Sequence, residues 1–553
     1  MGENTLSELA LADKSKASQA VEKLTKPAIW LFAATILGRL LGFVRESTLA
    51  AFFGVGPEVD AFIMAQTVTF ILFSFLGTSI GTAGIPVLSV LYADKKVDVF
   101  RNVSLSLLHI VLLVLGVFAF VGYWIAPFLI HTIAPGFTEH QSELAIHLTR
   151  IMMPVTVFLG LSGWATAVLQ SQSKFGYSAL SNIPNNGVVI VGMFAAGFLG
   201  GIEWVTLCYV FGVAAQFAIQ LPGLRQIRYK WNLNLKDADF MKILRMAPST
   251  IATGLGTQIN VVVDRFFSSG LMVGSVAALG YGQRIFSLFI GIVQMPILMV
   301  LFPKLSEHVG LNKDEEFKEL IRKGLGILSF FMIPISAVLM FLAIPFTQIL
   351  FERGAFDQAA TVITASIVCF YALGLPFLSW KEFLLRTFYA MKDSRTPVIN
   401  TSLLVSINIT LNAISVPFFG VKGLALSTSI SEIISFLVLY NILRRKIYKK
   451  TGKRMQLFPF MKSVISVIAM GGVMYVMCGM LGVNLLAISM DSKLVLTGET
   501  MLVLAAAALT YLSVALLLKS SEMLFCLKTI TKMLSNQKRI FLPPKKVNKG
   551  WGE

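Results

Sequence analysis

The sequence has few of the residues that build disulfide frameworks, metal centres or catalytic sites. It contains four cysteines in 553 residues, without CxxC or other ligand spacing: Cys208, Cys369, Cys478 and Cys526. Its five histidines form no HExxH-like pair: His109, His131, His140, His147 and His308. The loops carry no glycine-rich phosphate motif, GxSxG elbow or acidic metal cluster, and they are too short to hold a soluble catalytic domain. The sequence therefore argues against an enzyme.

Charge is scarce as well. Only 14% of the residues are charged and 56% are hydrophobic, unlike the composition of a soluble domain. Windows of about twenty residues identify apolar segments of transmembrane length along most of the chain. They lie at 28–53, 61–92, 102–130, 144–170, 178–200, 203–224, 247–269, 277–303, 324–351, 359–390, 397–419, 420–443, 458–486 and 498–518. We therefore expect an all-α integral membrane protein with about fourteen transmembrane helices.

Basic residues crowd every second connection between these spans, as at Lys95, Lys96 and Arg101, whereas the intervening connections hold few. Because basic connections stay on the cytoplasmic side, both termini are predicted to be cytoplasmic. Residues 1–27 form a polar tail without an apolar signal core, and 519–553 form a basic tail. The net charge of +18 then indicates anionic membrane lipids as partners and gives no reason to expect nucleic acid.

An internal repeat divides the chain. The segment around Gln66 resembles the segment around Gln283 at an offset of about 217 residues, and 126–137 resembles 344–356 at nearly the same offset. Two matches in the same topological position predict two pseudo-symmetric six-helix lobes in parallel orientation, an architecture of transporters with a site between the repeats. The predicted divisions are an N-lobe at 28–245, a C-lobe at 246–445 and two appended helices at 446–518.

Two spans carry arginine at membrane depth. Arg39, Arg45 and Glu46 lie in the first span, and Arg284 lies in the eighth. An ionised side chain near the bilayer centre costs at least about 2.5–3.5 kcal/mol, so such residues usually face a cavity or a partner. Arg39 and Glu46 are two turns apart on one helix face, which leaves an internal ion pair as an alternative, but positive charge stays in surplus. Arginine keeps its charge and contacts phosphate bidentately, so these residues favour an anionic, phosphate-bearing ligand.

Other charged residues within spans are expected to pair with each other. Asp264 and Arg265 are adjacent in the seventh span. In the tenth, Glu382 and Arg386 have the spacing of a helical ion pair, and Lys381 lies near enough to the end of the span to snorkel.

Four segments carry a resemblance to a known family. GRLLGFVRE, FFGVGPEVDAF, FERGAFD and FYAMKDSRTPV resemble signature segments of the MurJ/MviN family, the lipid II flippases within the wider group of multidrug, oligosaccharidyl-lipid and polysaccharide exporters. The resemblance covers about residues 28–445. It implies fourteen helices in two lobes around a central cationic cavity, in the bacterial cytoplasmic membrane. It further implies that the protein moves lipid II, an undecaprenyl pyrophosphate-linked sugar peptide, from the inner to the outer leaflet by alternating access.

The resemblance also implies site residues. The charged positions of the family that bear on function match Arg39, Arg45, Asp60 and Arg284. A sodium ion is the one cofactor implied, with oxygen ligands in the C-terminal lobe at Asp264, Asn408, Asn412 and Thr428. Asparagines one turn apart are equally compatible with ordinary hydrogen bonding between helices. Family members commonly carry a basic pair and a later glutamate in the second span, where this sequence has Leu72, Phe73 and Gly77. This departure predicts a less basic cavity.

Two other functions stay open at this point. A flippase for another lipid-linked oligosaccharide or exopolysaccharide unit would share every feature above. A cation-coupled multidrug exporter of the same superfamily would share the repeat and the ion site, but it would need acidic residues facing its cavity. An enzyme acting on polyprenyl lipids would need a cluster of acidic residues or histidines at a leaflet boundary, and the sequence offers none.

Overall fold

The computed structural model describes residues 33–70, 75–199, 201–227, 229–231, 234, 236–311, 313–451, 460–482 and 493–524. Within these ranges every regular element is helical. The α-helices are α1 33–53, α2 Pro57–Thr67, α3 Phe75–Ala93, α4 Val97–Ile133, α5 Glu139–Ser171, α6 Phe175–Leu180, α7 Asn182–Leu199, α8 Gly201–Ala218, α9 Ala238–Ser269, α10 Ser275–Phe289, α11 Met295–Gly310, α12 Asp314–Phe341, α13 Ala343–Phe351, α14 Gln358–Ala390, α15 Arg395–Phe419, α16 Val421–Thr451, α17 Met461–Leu481 and α18 Lys493–Leu517. A 3₁₀ turn covers Leu221–Leu224, and π-helical turns cover 68–70 and Ile290–Gln294.

Long apolar helices dominate the described ranges. Eleven helical segments there are long and apolar enough to cross a membrane. Helix α1, the pair α2 and α3, and α9 lie at the predicted first, second and seventh spans, and α1 and α9 carry intramembrane charges that lower their mean hydropathy. The all-α membrane class is confirmed, and the count of fourteen spans stays a prediction.

Several predicted spans are interrupted, including those at 61–92 and 324–351. The span predicted at 61–92 is formed by α2, the π turn 68–70 and α3, with 71–74 outside the described residues. The span predicted at 324–351 consists of α12 and α13, which meet at Leu342 (φ −105°, ψ 26°). Pro345 explains the break, because its ring excludes the carbonyl group four residues earlier and it offers no N–H to continue the helix.

The chain forms two compact units. The first comprises the described residues of Met1–Ile292 together with Leu350–Tyr371 and Val398–Ser431. One apolar core of this unit joins α3, α4, α5 and α9 around the fully buried Leu107 and Phe240. The lobe boundaries predicted from the repeat stay a prediction.

Glycines bring two helices of this unit into backbone contact. A Cβ atom on Gly77 would lie 2.7 Å from the Cα of Gly160, and one on Gly81 would lie 2.8 Å from the backbone oxygen of Gly163. Helix α3 therefore packs directly on α5. Gly77 is one of the positions that depart from the family pattern, and its place in this contact leaves no room for a side chain. The other two, Leu72 and Phe73, lie outside the described residues.

The second unit comprises Val293–Ile349, Ala372–Pro397 and the described residues of Glu432–Glu553. One of its cores joins α11, α12, α14 and α16 around Phe383. Another joins α12, α17 and α18 around Met474 and Val503.

A buried ion pair links α14 to α16 in the second unit. The Nζ atom of Lys381 lies 2.9 Å from Glu432 Oε2 and 3.5 Å from Glu382 Oε1. Lys381 is only 8% exposed, so the prediction that it snorkels is wrong. The predicted pair of Glu382 with Arg386 is also wrong, since Glu382 pairs with Lys381 and the Arg386 guanidinium lies 5.9 Å from the ring centroid of Phe302. Removing either Lys381 or Glu432 would leave the other charge buried without a partner, so the two side chains hold each other in place.

Candidate functional site

A polar cavity of about 500 Å³ lies within the first unit. Helices α1, α2, α5, α7, α8, α9 and α10 line it. Its polar lining residues are Arg45, Glu46, Gln66, Thr67, Asn182, Asn185, Tyr209, Gln216, Gln258, Arg265, Gln283, Arg284 and Ser287. Three of these are arginines and one is a glutamate, so the lining carries a formal charge of +2.

Two helices contribute an ionic cluster to this lining. Arg45 Nη2 lies 2.6 Å from Glu46 Oε1, and Arg284 Nη2 lies 3.3 Å from the same oxygen. The side chains of Arg45 and Glu46 are 14% and 9% exposed, while that of Arg284 is 50% exposed. The Arg45 guanidinium also lies 5.9 Å from the ring centroid of Tyr209. Glu46 therefore holds an arginine of the first predicted lobe together with one of the second, and one of the two positive charges stays uncompensated.

Arg39 lies outside this cluster. It is exposed and does not line the cavity. The ion pair between Arg39 and Glu46, which the helical spacing left as an alternative, is not formed, because Glu46 pairs with Arg45 and Arg284. Its guanidinium rests on the π turn after α10, where a Cβ atom on Gly291 would lie 1.6 Å from Arg39 Nη1. A side chain at position 291 would therefore displace the Arg39 guanidinium from this turn. Arg39 precedes Arg45 by six residues, which is about 9 Å along a helix axis.

A third arginine, Arg265, faces the cavity from α9. It is 6% exposed, its Nη1 donates to the backbone oxygen of Val276 at 3.1 Å, and its Nε has no partner among the described residues. It forms no ion pair with the adjacent Asp264, contrary to the pairing expected from the sequence. Arg265 was not predicted as a site residue. Its position at membrane depth in the seventh span could have indicated a site residue. We did not select it because the adjacent Asp264 was expected to neutralise its charge.

Asp60 has a different position from the arginines. It is 2% exposed and does not line the cavity. Its Oδ2 accepts the backbone N–H of Gly274 at 2.6 Å and its Oδ1 that of Ala277 at 2.7 Å. These N–H groups belong to the start of α10, where a carboxylate is favoured by unpaired donors and the helix dipole. Asp60 therefore joins the start of α2 to the start of α10.

Positions related by the internal repeat meet at this site. Gln66 and Gln283 both line the cavity, as do Thr67 and Arg284 one residue later. Asp60 and Ala277, which bond to each other, differ by the same 217 residues. A residue that contacts its own repeat equivalent lies close to the axis that relates the two copies. The cavity thus brings together positions that the sequence comparison aligned.

The ends of α1 and α9 meet two loops through close backbone contacts. Ala355 N donates to Ala51 O at 2.8 Å, and a Cβ atom on Gly354 would lie 2.1 Å from that oxygen. Similarly, a Cβ atom on Gly136 would lie 2.3 Å from the Cα of Gly270. Gly136 and Gly354 belong to the two segments matched in the second repeat comparison, so each loop packs on the helix end of the other copy.

The predicted sodium ligands lie together. Asn412 Nδ2 donates to Asp264 Oδ1 at 3.0 Å and lies 3.1 Å from Asn408 Oδ1, and Asn408 Nδ2 donates to Thr428 Oγ1 at 3.3 Å. Asp264, Asn408 and Asn412 are buried. Asn412 Oδ1 is buried without a hydrogen-bond partner among the described residues. The arrangement offers an orphaned oxygen beside three others, which fits a hard cation as well as an interhelical network.

Similarity to known proteins covers most of the chain. A family model described as "Lipid II flippase MurJ" matches residues 49–495. A probable lipid II flippase MurJ of Buchnera aphidicola subsp. Acyrthosiphon pisum is 28% identical over 457 residues, covering 81% of this chain and 88% of the relative. A solved structure described as lipid II flippase MurJ in an inward closed conformation has 26% identity and a TM-score of 0.74, covering 88% of this chain and 98% of that one. An inward-facing MATE family transporter shares the fold at 15% identity, with a TM-score of 0.67 over 77% of this chain and all of its own.

Proposed function

This chain belongs to the MurJ family of lipid II flippases, and from that premise we propose that it moves lipid II from the inner to the outer leaflet of the bacterial cytoplasmic membrane. Transport and not catalysis is the proposed activity. The observation that carries the proposal is the cavity lined by Arg45, Arg265 and Arg284, with Glu46 as the one acidic residue among its described lining residues. Keeping three guanidinium groups among membrane helices is costly, and an anionic ligand that enters and leaves explains why they are retained.

The pyrophosphate of the substrate is the group that matches this lining. Each guanidinium presents a planar set of N–H donors suited to phosphate oxygens, and it stays charged throughout. We propose that the pyrophosphate takes the place of Glu46 between Arg45 and Arg284. The half-exposed Arg284 is the side chain free to reorient, whereas Arg45 is held by its burial and by Tyr209.

The amide-rich wall of the cavity suits the sugar and peptide parts of the headgroup. Gln66, Gln258 and Gln283 offer both donors and acceptors from three helices. On α7 and α8, Asn185 Nδ2 already donates to Gln216 Oε1 at 3.1 Å, so this side of the wall is ordered before substrate arrives. Such a surface binds hydroxyl and amide groups, which a hydrophobic drug lacks, and it therefore favours a glycan carrier over a multidrug exporter.

Alternating access then requires two openings. We propose that both termini are cytoplasmic and that the headgroup passes Arg39 on its way in from the cytoplasmic leaflet, while the polyprenyl chain stays in lipid. Release outside requires the helix ends at Ala51 and Gly270 to part from the loops at Ala355 and Gly136. With the inside negative, the membrane potential favours outward movement of an anion by about 2.3 kcal/mol per charge per 100 mV.

We also propose that Asp264, Asn408, Asn412 and Thr428 hold a sodium ion, which would supply fixed positive charge to the buried carboxylate. The test is thermal unfolding of the purified protein in sodium chloride and in potassium chloride of equal ionic strength. Sodium should raise the melting temperature specifically, and Asp264→Asn should remove that difference while Asp98→Asn, an exposed aspartate on α4, should keep it. Equal melting temperatures in the two salts would exclude the ion.

The transport proposal is tested by growth of bacteria depleted of their own lipid II flippase. The protein should restore growth, and Arg45→Ala and Arg284→Ala should not, at equal membrane abundance. Arg101→Ala is the matched control, because Arg101 forms an ion pair with Asp98 outside the cavity. Rescue by both cavity variants would contradict the cationic site. Absence of rescue by the abundant unchanged protein would contradict lipid II as substrate and favour another polyprenyl-linked glycan.

A further inference from the structure

The second unit contains a cavity that the transport proposal does not use. Its volume is about 590 Å³, within the range of ligand sites, and it lies between α11, α12 and the residues that follow α18. Its lining is apolar at one end and charged at the other.

Two helices present the same transition from apolar to basic. On α11, Ile297, Leu301, Lys304 and His308 line the cavity at spacings of three or four residues, so they share one helix face. On α12, Ile327 and Lys323 line it in the same way. An apolar face that turns basic within one or two turns is typical of a helix passing from hydrocarbon into the headgroup region. The cavity therefore spans the boundary at which a lipid has its ester and phosphate groups.

The basic residues of this cavity differ in whether they have an acidic or hydrogen-bonding partner. Arg322 donates to Glu319 from Nε at 2.9 Å and Nη2 at 2.8 Å, and Lys323 lies 3.5 Å from the same carboxylate. Lys304 has no acidic partner among the described residues, and His308 Nδ1 is buried there without a hydrogen-bond partner. The ammonium group of Lys304 is thus available to a phosphate in the cavity.

The same cavity also contains a buried acid. Glu522 is 8% exposed and accepts the hydroxyls of Ser520 at 2.7 Å and Ser521 at 2.9 Å, but it forms no ion pair within the described ranges. It sits against α12, where a Cβ atom on Gly326 would lie 2.5 Å from Glu522 Oε1. Its hydrogen-bond donors are neutral, and Arg322 of the same cavity acts on it only at longer range. A cationic donor in direct contact would therefore stabilise this carboxylate further.

We propose that this cavity binds a phospholipid whose headgroup carries a primary amine, such as phosphatidylethanolamine. An acyl chain lies along Ile297, Leu301 and Ile327, and the phosphate contacts Lys304 with support from Lys323. The ammonium group donates to Glu522. A choline headgroup has no N–H to donate, and a glycerol headgroup has no positive charge for the carboxylate, so the acid selects the amine.

The experiment measures lipid binding to the full-length protein by native mass spectrometry after delipidation. The titrated lipids share their acyl chains and have ethanolamine, N,N-dimethylethanolamine, choline or glycerol headgroups. The unchanged protein should bind the ethanolamine lipid about tenfold more tightly than the choline lipid, as for loss of one charge-assisted hydrogen bond. The dimethylated lipid, which keeps one N–H, should be intermediate.

Variants separate the two ends of the headgroup. Lys304→Gln should weaken binding of all four lipids about tenfold, whereas Glu522→Gln should abolish the preference for ethanolamine. Lys242→Gln is the control, because Lys242 is an exposed lysine of the first unit that pairs with Asp239. If Glu522→Gln fails to fold, the relative affinities of the four lipids for the unchanged protein test the proposal without it. Equal affinity for ethanolamine and choline lipids, tightest binding of the glycerol lipid, or no effect of Lys304→Gln would overturn the proposal.

Discussion

Replacing Arg284 with alanine should separate substrate binding from stability. The Arg284 side chain is half exposed and lies 3.3 Å from Glu46. Because Arg284 is half exposed, solvent screens this pair, which contributes about 1 kcal/mol or less to the free energy of unfolding. Glu46 retains its contact with Arg45 at 2.6 Å, so no buried carboxylate is left alone. Arg284→Ala should therefore lower the melting temperature by only about 2 °C or less.

Binding should change much more. Arg284 is the most exposed guanidinium of the cluster with Glu46, and its contact with the pyrophosphate would be charge-assisted. Loss of one such contact costs about 1.5–3 kcal/mol, which corresponds to roughly ten- to a hundredfold weaker affinity for lipid II. Arg284→Lys should recover only part of this affinity, because lysine keeps the charge but not the planar arrangement of donors.

The assay is titration of the purified variant with lipid II by native mass spectrometry, with thermal unfolding measured in parallel. Arg101→Ala provides the control, since Arg101 forms a comparable ion pair with Asp98 at 2.8 Å on the surface of α4. A folded Arg284→Ala protein with unchanged affinity for lipid II would refute the assignment. An equal loss of affinity in Arg101→Ala would show that the effect is nonspecific.

Four further substitutions test contacts of the cavity and of the helices that hold it together. Glu46→Gln should tighten lipid II binding, because the pyrophosphate no longer has to displace a carboxylate. It should also lower the free energy of unfolding by about 3–5 kcal/mol, because it leaves a buried arginine unpaired. Weaker lipid II binding would contradict the proposal that the substrate displaces Glu46. Arg265→Gln should weaken binding about tenfold in the same titration, and unchanged affinity would assign Arg265 to packing alone. Asp60→Ala should destabilise the protein by about 2–4 kcal/mol in thermal unfolding, with Asp60→Asn intermediate, since two backbone N–H groups lose their acceptor. Gly77→Glu should prevent accumulation of folded protein in the membrane, whereas a folded and active variant would show that α3 does not pack on α5 as described.

The positions of the helices were largely predictable from apolar length. The span predicted at 359–390 is α14 at Gln358–Ala390, and the one predicted at 144–170 is contained in α5 at Glu139–Ser171. In the bilayer every backbone N–H and C=O group must form its hydrogen bond within the protein, so an apolar segment that crosses the membrane has to be a helix. Hydropathy alone therefore locates these helices. The repeat also placed Gln66 and Gln283 in corresponding positions, and both line the cavity.

The partners of the charged residues were not predictable. Helical spacing suggested Arg39 for Glu46, but the observed partners are its neighbour Arg45 and Arg284 from α10. Long side chains reach acids on other helices, and the sequence does not show which helices adjoin. Asp60 illustrates the same limit, because a carboxylate that caps a helix more than 200 residues away has no local signal. The family resemblance implied that Asp60 is a functional position. In the structure its carboxylate connects α2 to the start of α10.

The most direct test of the account is the exposure of lipid II at the outer surface of cells that depend on this protein. Bacteria depleted of their own flippase are supplied with the protein, and an externally added enzyme that cleaves lipid II reports how much has crossed. We expect cleavage to be restored by the unchanged protein and lost in Arg284→Ala at equal membrane abundance. Lipid II that stays protected with the unchanged protein, or stays cleavable with Arg284→Ala, would contradict transport through the cationic cavity.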